Sequence, residues 1–209
     1  MIRFNKWIYV IPGFTQHRGT RTKMIDLWAR LYANLGGNGT SIQCQPWCAD
    51  WRSEAELICR TSEFNPEIYV IAYSWGAGWG FTQLSKQLRQ RGYRINHAWL
   101  IDPVYRHNYV LGQWRALVPG IPIKVPSNVD HVTWWRQNET YPKGHDLKAK
   151  DGAGTFIDEA QWVEGVAHIH MDDHQPTLRA IEEQLMSKLD QDLMGGEDDQ
   201  GDSVYPHIR

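Results

Sequence analysis

The chain has 209 residues, of which 42% are hydrophobic and 22% charged, with a formal net charge of -2. That composition predicts an ordinary soluble globular chain with one substantial core. Its charge gives no electrostatic case for nucleic acid or an anionic membrane surface, and no apolar run nears the roughly 20 residues that cross a bilayer.

In chain order, strand and helix signals alternate, which predicts a mostly parallel sheet of about six strands covered by helices on both faces. Lys6 to Ile11 reads as the first strand and runs into Pro12-Gly13-Phe14-Thr15, a turn that cannot continue it. WIYVIPG is too short for the apolar core of a signal peptide, so the reading is cytoplasmic. A helix is expected from about Thr22 to Leu35, and a second strand from Thr40 to Gln45. Ser53 to Glu56 has the spacing of a capping box opening a short helix to about Glu63. Cys44, Cys48 and Cys59 lack C-x-x-C spacing, and buried free thiols are expected.

The stretch EIYVIAYSWGAGWG, Glu67 to Gly80, carries the strongest signal. A buried strand over Ile68 to Tyr73 is followed at once by Ser74 and then a helix through about Arg91. Small residues at minus two (Ala72) and plus two (Gly76) describe a nucleophile elbow, a turn so tight that it lifts the serine hydroxyl clear of the sheet. The plain alternative is a serine that merely starts a helix.

Asn96 to Ile101 is the next buried strand, ending in Asp102-Pro103. Val104 to Pro126, with prolines 119, 122 and 126, suggests irregular chain; Val129 to Arg136 reads as a strand and Glu139 to Ile157 as a surface loop. Trp162 to Ala167 is expected to be the last strand, His168 to Asp173 a loop, and Pro176 to Leu189 a helix. Residues 1–190 are read as one domain, and 191–209 as an acidic, mobile tail. The eleven tryptophans either line an apolar cleft or fill the core; Trp79 is assigned to the core.

Serine chemistry needs a base to take the hydroxyl proton and an acid to orient that base. Ser74, Asp102 and His168 each follow a predicted strand, in the order Ser, Asp, His, and sites in open α/β sheets gather at the carboxyl ends of strands. Phe14 follows the first strand at the same edge, and its N–H, with that of Trp75, suits an oxyanion hole.

With these segments, WIYVIPGF, IAYSWGAG, WLIDPV and VAHIHMDDHQPTLRAI, the chain resembles the α/β-hydrolase family, specifically small lipase-, esterase- and thioesterase-like members without a large cap domain. The resemblance implies Ser74 as nucleophile, Asp102 as acid, His168 as base, and Phe14 and Trp75 as oxyanion donors, with no cofactor or metal. Ala72 departs from the usual glycine, and Pro12 stands where many members carry histidine. The acid lies one strand earlier than is most common, which leaves Glu139 as rival acid; His170 is the rival base. The implied substrate is a small-molecule or polymer-borne ester or thioester. The segment HIHMDDH is close to the H-x-H-x-D-H zinc motif but has aspartate at position 173 where histidine is required. A metal-dependent hydrolase built on His168, His170 and Asp172, and a non-catalytic hydrolase-like binding module, are the alternatives.

Overall fold

A computed structural model describes residues 3–37, 39–104, 121–150 and 154–194, excepting the side chains of 191–194. Its centre is a seven-stranded sheet in which every pairing is parallel, in the order β2-β1-β3-β4-β6-β8, with β9 also paired to β6. The strands are β1 (Phe4–Ile11), β2 (Thr40–Cys44), β3 (Ser62–Tyr73), β4 (Ile95–Ile101), β6 (Val129–Arg136), β8 (Phe156–Ile157) and β9 (Gln161–Trp162). A separate parallel pair joins β5 (Ile123–Val125) to β7 (Leu147–Ala149). The helices are α1 (Lys23–Leu35), α2 (Trp51–Thr61), α3 (Phe81–Arg89) and α4 (Gln175–Met194), and none is long and apolar enough to cross a membrane.

The strand pattern follows from burial on both faces. Along β1, Trp7, Tyr9 and Ile11 point into one core with Ala55 and Ile58 of α2 and Phe81, Leu84 and Leu88 of α3. Ile8 and Val10 point into the other with Met24, Leu27 and Leu31 of α1 and Leu178, Ile181 and Leu185 of α4. A strand buried on both sides reads as a continuous apolar run rather than an alternating one, as YVI does here. From β1 the chain steps one way to β2 and then back past β1 to β3. The crevice beyond the carboxyl ends of β1 and β3 is therefore the switch point where such sheets place their sites.

Several expectations are corrected. Helix α2 starts at Trp51 and is capped by Asp50, whose carboxylate accepts from the N–H groups of Arg52 and Ser53. Ser53 instead donates its hydroxyl to Asp50 at 2.7 Å, so the earlier carboxylate outcompetes the anticipated serine box. The stretch read as a surface loop contains β7 and β8. The expected strand Trp162–Ala167 ends at Trp162, because after Val163 bonds to Arg136 the chain turns at Gly165, with φ 71°. His168 to Asp173 is a 3₁₀ turn rather than a loop, and α4 runs through Met194, past the expected boundary at 190. Among the thiols, none paired, only Cys44 is buried; Cys48 is exposed. Most of the stretch expected to be irregular after Val104, and the acidic tail beyond Met194, lie outside the described residues.

Candidate active site

Ser74 sits in the left-handed region, φ 52°, immediately after β3. A non-glycine residue held there is strained, and the surroundings hold it. Its N–H donates to Ile101 at the end of β4, and its carbonyl accepts from Gly78 and Val104. The reason for glycine two residues on is direct: a Cβ at Gly76 would lie 2.1 Å from the Ile11 carbonyl oxygen. Ala72, by contrast, is fully buried in the core, where its methyl is packed. After Ser74 the chain enters a π-helical turn, Gly76–Gly80, before α3 begins.

Asp102 repeats this geometry one strand over. It follows β4, has φ 40°, and donates its N–H to Trp135 of β6 at 2.7 Å. Its carboxylate is fully buried. Gln137, the residue after β6, donates its backbone N–H to Oδ1 at 3.2 Å and its side-chain amide to Oδ2 at 3.0 Å. Gly144 lies so close that a Cβ there would be 2.2 Å from Oδ1.

His168 opens the 3₁₀ turn and completes the chain of contacts. Its Nε2 is 2.9 Å from Ser74 Oγ, and its Nδ1 is 2.5 Å from Asp102 Oδ2. Three further contacts, from two residues, hold His168 in place. The His168 N–H donates to Thr140 Oγ1 at 2.9 Å, and Tyr73 donates its hydroxyl to the His168 carbonyl at 2.5 Å. The Tyr73 ring also stacks on the imidazole at 5.3 Å. Burial, with Asp172 and Asp102 nearby, pushes the Tyr73 phenol well above its ordinary range, so it stays a donor. A carboxylate on Nδ1 leaves Nε2 as the atom able to accept the serine proton, which is the arrangement that proton transfer from a hydroxyl requires.

Ser74 and His168 open onto a cavity of about 460 Å³. Phe14 and Trp75 form one wall, 4.3 Å apart, with Trp47 edge-on to Trp75 at 5.2 Å. Val104, Pro142 and Ile169 add further apolar surface, and no carboxylate, lysine or arginine lines the space among the described residues. A slightly larger cavity, about 500 Å³, lies beside α3 and contains Lys86, Arg89, Lys124 and Lys150. It holds none of the three hydrogen-bonded residues, so the smaller cavity is the candidate site. Trp79 lines this second cavity, half-buried, rather than sitting in the core.

Ser74, Asp102 and His168, the expected nucleophile, acid and base, are brought together by the fold. Phe14 and Trp75 border the same cavity; Gly13 seats the first of these turns so closely on the elbow that a Cβ would be 3.1 Å from that of Ser74. Glu139 is exposed and accepts from the Gly165 N–H, away from the imidazole. His170 is exposed, with its N–H bonded to Ala167. Asp172 and Asp173 bond separately, to Gln16 and to the Lys23 N–H. Sequence reasoning missed Gln137, Thr140, Gly144 and Tyr73. The first was within reach, since it follows a strand at the sheet edge that supplied Ser74 and Asp102.

The switch-point order of the sheet, the strained serine after its third strand and helices on both faces settle the architecture. The fold is α/β-hydrolase-like, without a large cap in the described residues. Among solved structures, this chain is similar to RedJ with a polyethylene glycol molecule bound in the active site, at 10% identity over 90% of this chain and 93% of that chain, with TM-score 0.48. It is also similar to RedJ, a thioesterase of the prodiginine pathway in Streptomyces coelicolor, at 11% identity over 85% of each chain and TM-score 0.48. A third structure, from work on LipS and LipT, two metagenome-derived lipolytic enzymes, matches at 12% identity over 91% of this chain and 95% of that chain, again with TM-score 0.48. No family model matches the sequence, and no curated protein does.

Proposed function

We propose that the protein is a serine hydrolase that cleaves a carboxylic ester or thioester by acyl transfer. The observation that carries this reading is the continuous contact from Ser74 Oγ through His168 to the buried Asp102 carboxylate, opening on an apolar cavity. His168 Nε2 takes the Ser74 proton as Oγ bonds to the substrate carbonyl carbon. The N–H groups of Phe14 and Trp75 receive the oxyanion, a stabilisation typically worth about 3 kcal/mol per donor. The imidazolium, held by Asp102, then returns its proton to the departing alcohol or thiol. Water attacks the acyl-enzyme by the same route and regenerates the serine. With aromatic and aliphatic walls and no charged lining among the described residues, the cavity favours an uncharged acyl group.

The decisive experiment is labelling with a fluorophosphonate probe, with Ser74→Ala as control and EDTA in parallel. Labelling lost in the variant and indifferent to EDTA is expected, together with loss of p-nitrophenyl ester turnover by about 10³-fold or more. Full activity in Ser74→Ala would sink the mechanism. Activity that chelator removes would point to metal chemistry in the HIHMDDH segment, and a folded protein that neither labels nor hydrolyses would point to a binding module.

A further inference from the structure

The acidic pair of the HIHMDDH segment has no part in the proton transfers, yet Asp172 is only 1% exposed. One of its oxygens, Oδ2, accepts from Gln16 Nε2 at 2.7 Å; the other, Oδ1, is buried without a partner. Burial pushes this carboxyl up to about 6, against the pull of Gln16 and His168 and with a push from Asp173; the Tyr73 phenol also faces it. A half-satisfied buried carboxylate weakens a fold. Its presence beside a reaction centre calls for a reason other than stability.

Gln16 supplies that reason. Its Oε1 accepts from the Gly13 N–H at 3.0 Å, in the turn that follows β1. An ionised carboxylate only accepts, so Asp172 must face the NH₂ end of the amide, and the carbonyl end is thereby presented to Gly13. The turn needs such a hold. Thr15, a β-branched residue, is kept at φ 65°, and Gly13 is so close to the elbow that a Cβ would come within 2.9 Å of the Tyr73 ring. A small rotation there would swing the Phe14 N–H relative to Ser74.

Resting on the serine-hydrolase reading, we infer that Asp172 and Gln16 are positioning residues for the oxyanion turn. Asp172 orients the Gln16 amide, and the amide carbonyl fixes Gly13 and, through it, the Phe14 N–H. Asp172 lies four residues after His168 in the same 3₁₀ turn, so one short element holds both the proposed base and the far end of the oxyanion brace.

The test uses the whole chain and p-nitrophenyl butyrate as probe, with four variants: Gln16→Met, Asp172→Leu, the double variant, and Asp172→Asn, which keeps a carbonyl for Gln16 Nε2. Gln16→Met and Asp172→Leu are expected to lower kcat about 10- to 100-fold, within the range seen when an oxyanion donor or its support is disturbed. KM should move little. The double variant should lose no more than either single variant, and Asp172→Asn should recover most of kcat. Independent, additive losses, or unchanged kcat in folded Gln16→Met, would overturn the brace. Amide exchange at Gly13 separates this from failure of the parent reading. If the unsubstituted chain shows no Ser74-dependent turnover, that reading fails, and Gly13 exchange as slow in Gln16→Met as in the unsubstituted chain overturns the brace too. Should Asp172→Leu not fold, Gln16→Met and Asp172→Asn decide by the same readouts.

Discussion

Gly76 and Gly144 are positions where a single methyl group would test the site, and they would fail differently. Alanine at 76 sets a Cβ against the backbone oxygen of Ile11, which has no soft way to move. A loss of roughly 2 kcal/mol or more in a urea melt is expected, with activity falling through the displaced elbow. Alanine at 144 meets the Asp102 carboxylate instead. The protein should stay folded while kcat drops, because the acid is pushed off His168. Gln137 acts through that same acid without lining the cavity. Gln137→Leu should reduce kcat by about 10- to 100-fold with KM nearly constant, as loss of an orienting partner does. A KM effect larger than the kcat effect would argue against that role. Asp172 has a stability consequence of its own. Burial raises its pKa from an ordinary 3.8 to about 6, so the folded chain holds its proton over that interval and the unfolded chain does not. Stability from this group is therefore highest below about pH 4 and declines as pH rises through 6, by up to ~3 kcal/mol. Asp172→Asn should abolish that decline in denaturant melts across this range.

Strands β4 and β6 carry a second polar group whose sign is opposite. His97 and His131 face each other across the two strands at 4.2 Å, and His97 Nε2 is 3.0 Å from Thr133 Oγ1. Thr133 donates on to Asp158, which also meets His131 at 2.8 Å. Burial, with His131 alongside, pushes His97 down to about 3 from an ordinary 6.5. Here the unfolded chain takes up the proton first, so this contribution is whole above about pH 6.5 and drains away as pH falls toward 3. His97→Phe, which keeps an aromatic ring beside Trp99, should flatten the acid side of the stability profile; an unchanged profile would locate acid sensitivity elsewhere. At this scale the limits of sequence reading have a physical cause. Strands β1, β3 and β4 were legible from their buried apolar runs, and β6 from Val129, Val132, Trp134 and Trp135. The last edge was not. Residues 161–162 pair only briefly with β6, and the apolar Val163, Val166 and Ala167 that suggested a longer strand serve a turn at Gly165. Cap choice was illegible for a similar reason, since Asp50 and Ser53 both suit the role and only their mutual hydrogen bond decides it.

On the scale of the whole molecule, parallel strands with a reversal between β1 and β3 put the first turn, Ser74 and Asp102 on one edge, and alternating apolar segments were enough to anticipate that. The contacts that steady the site were harder to foresee, because Gln16, Thr140 and Tyr73 carry no spacing rule. Their partners lie up to 156 residues away, as between Gln16 and Asp172. The cavity wall of Phe14 and Trp75, with Trp47 packed against both rings, likewise joins three segments. Phe14→Ala, which keeps the backbone N–H, should raise KM for p-nitrophenyl hexanoate about 3- to 30-fold while leaving acetate nearly unaffected, since only the longer chain reaches apolar surface worth about 0.8 kcal/mol per methylene. Equal effects on both esters would place acyl binding elsewhere. One further property follows from where the base resides. The proposed nucleophile and acid are fixed by the ends of two adjoining strands, whereas His168 belongs to a turn near the other end of the chain, anchored by Tyr73 and Thr140. A refolding intermediate that has zipped β1 to β4 but not docked this turn would possess a shaped serine and no chemistry. Probe reactivity followed against time should therefore lag behind the recovery of far-ultraviolet ellipticity, making the active serine a clock for the last step of assembly.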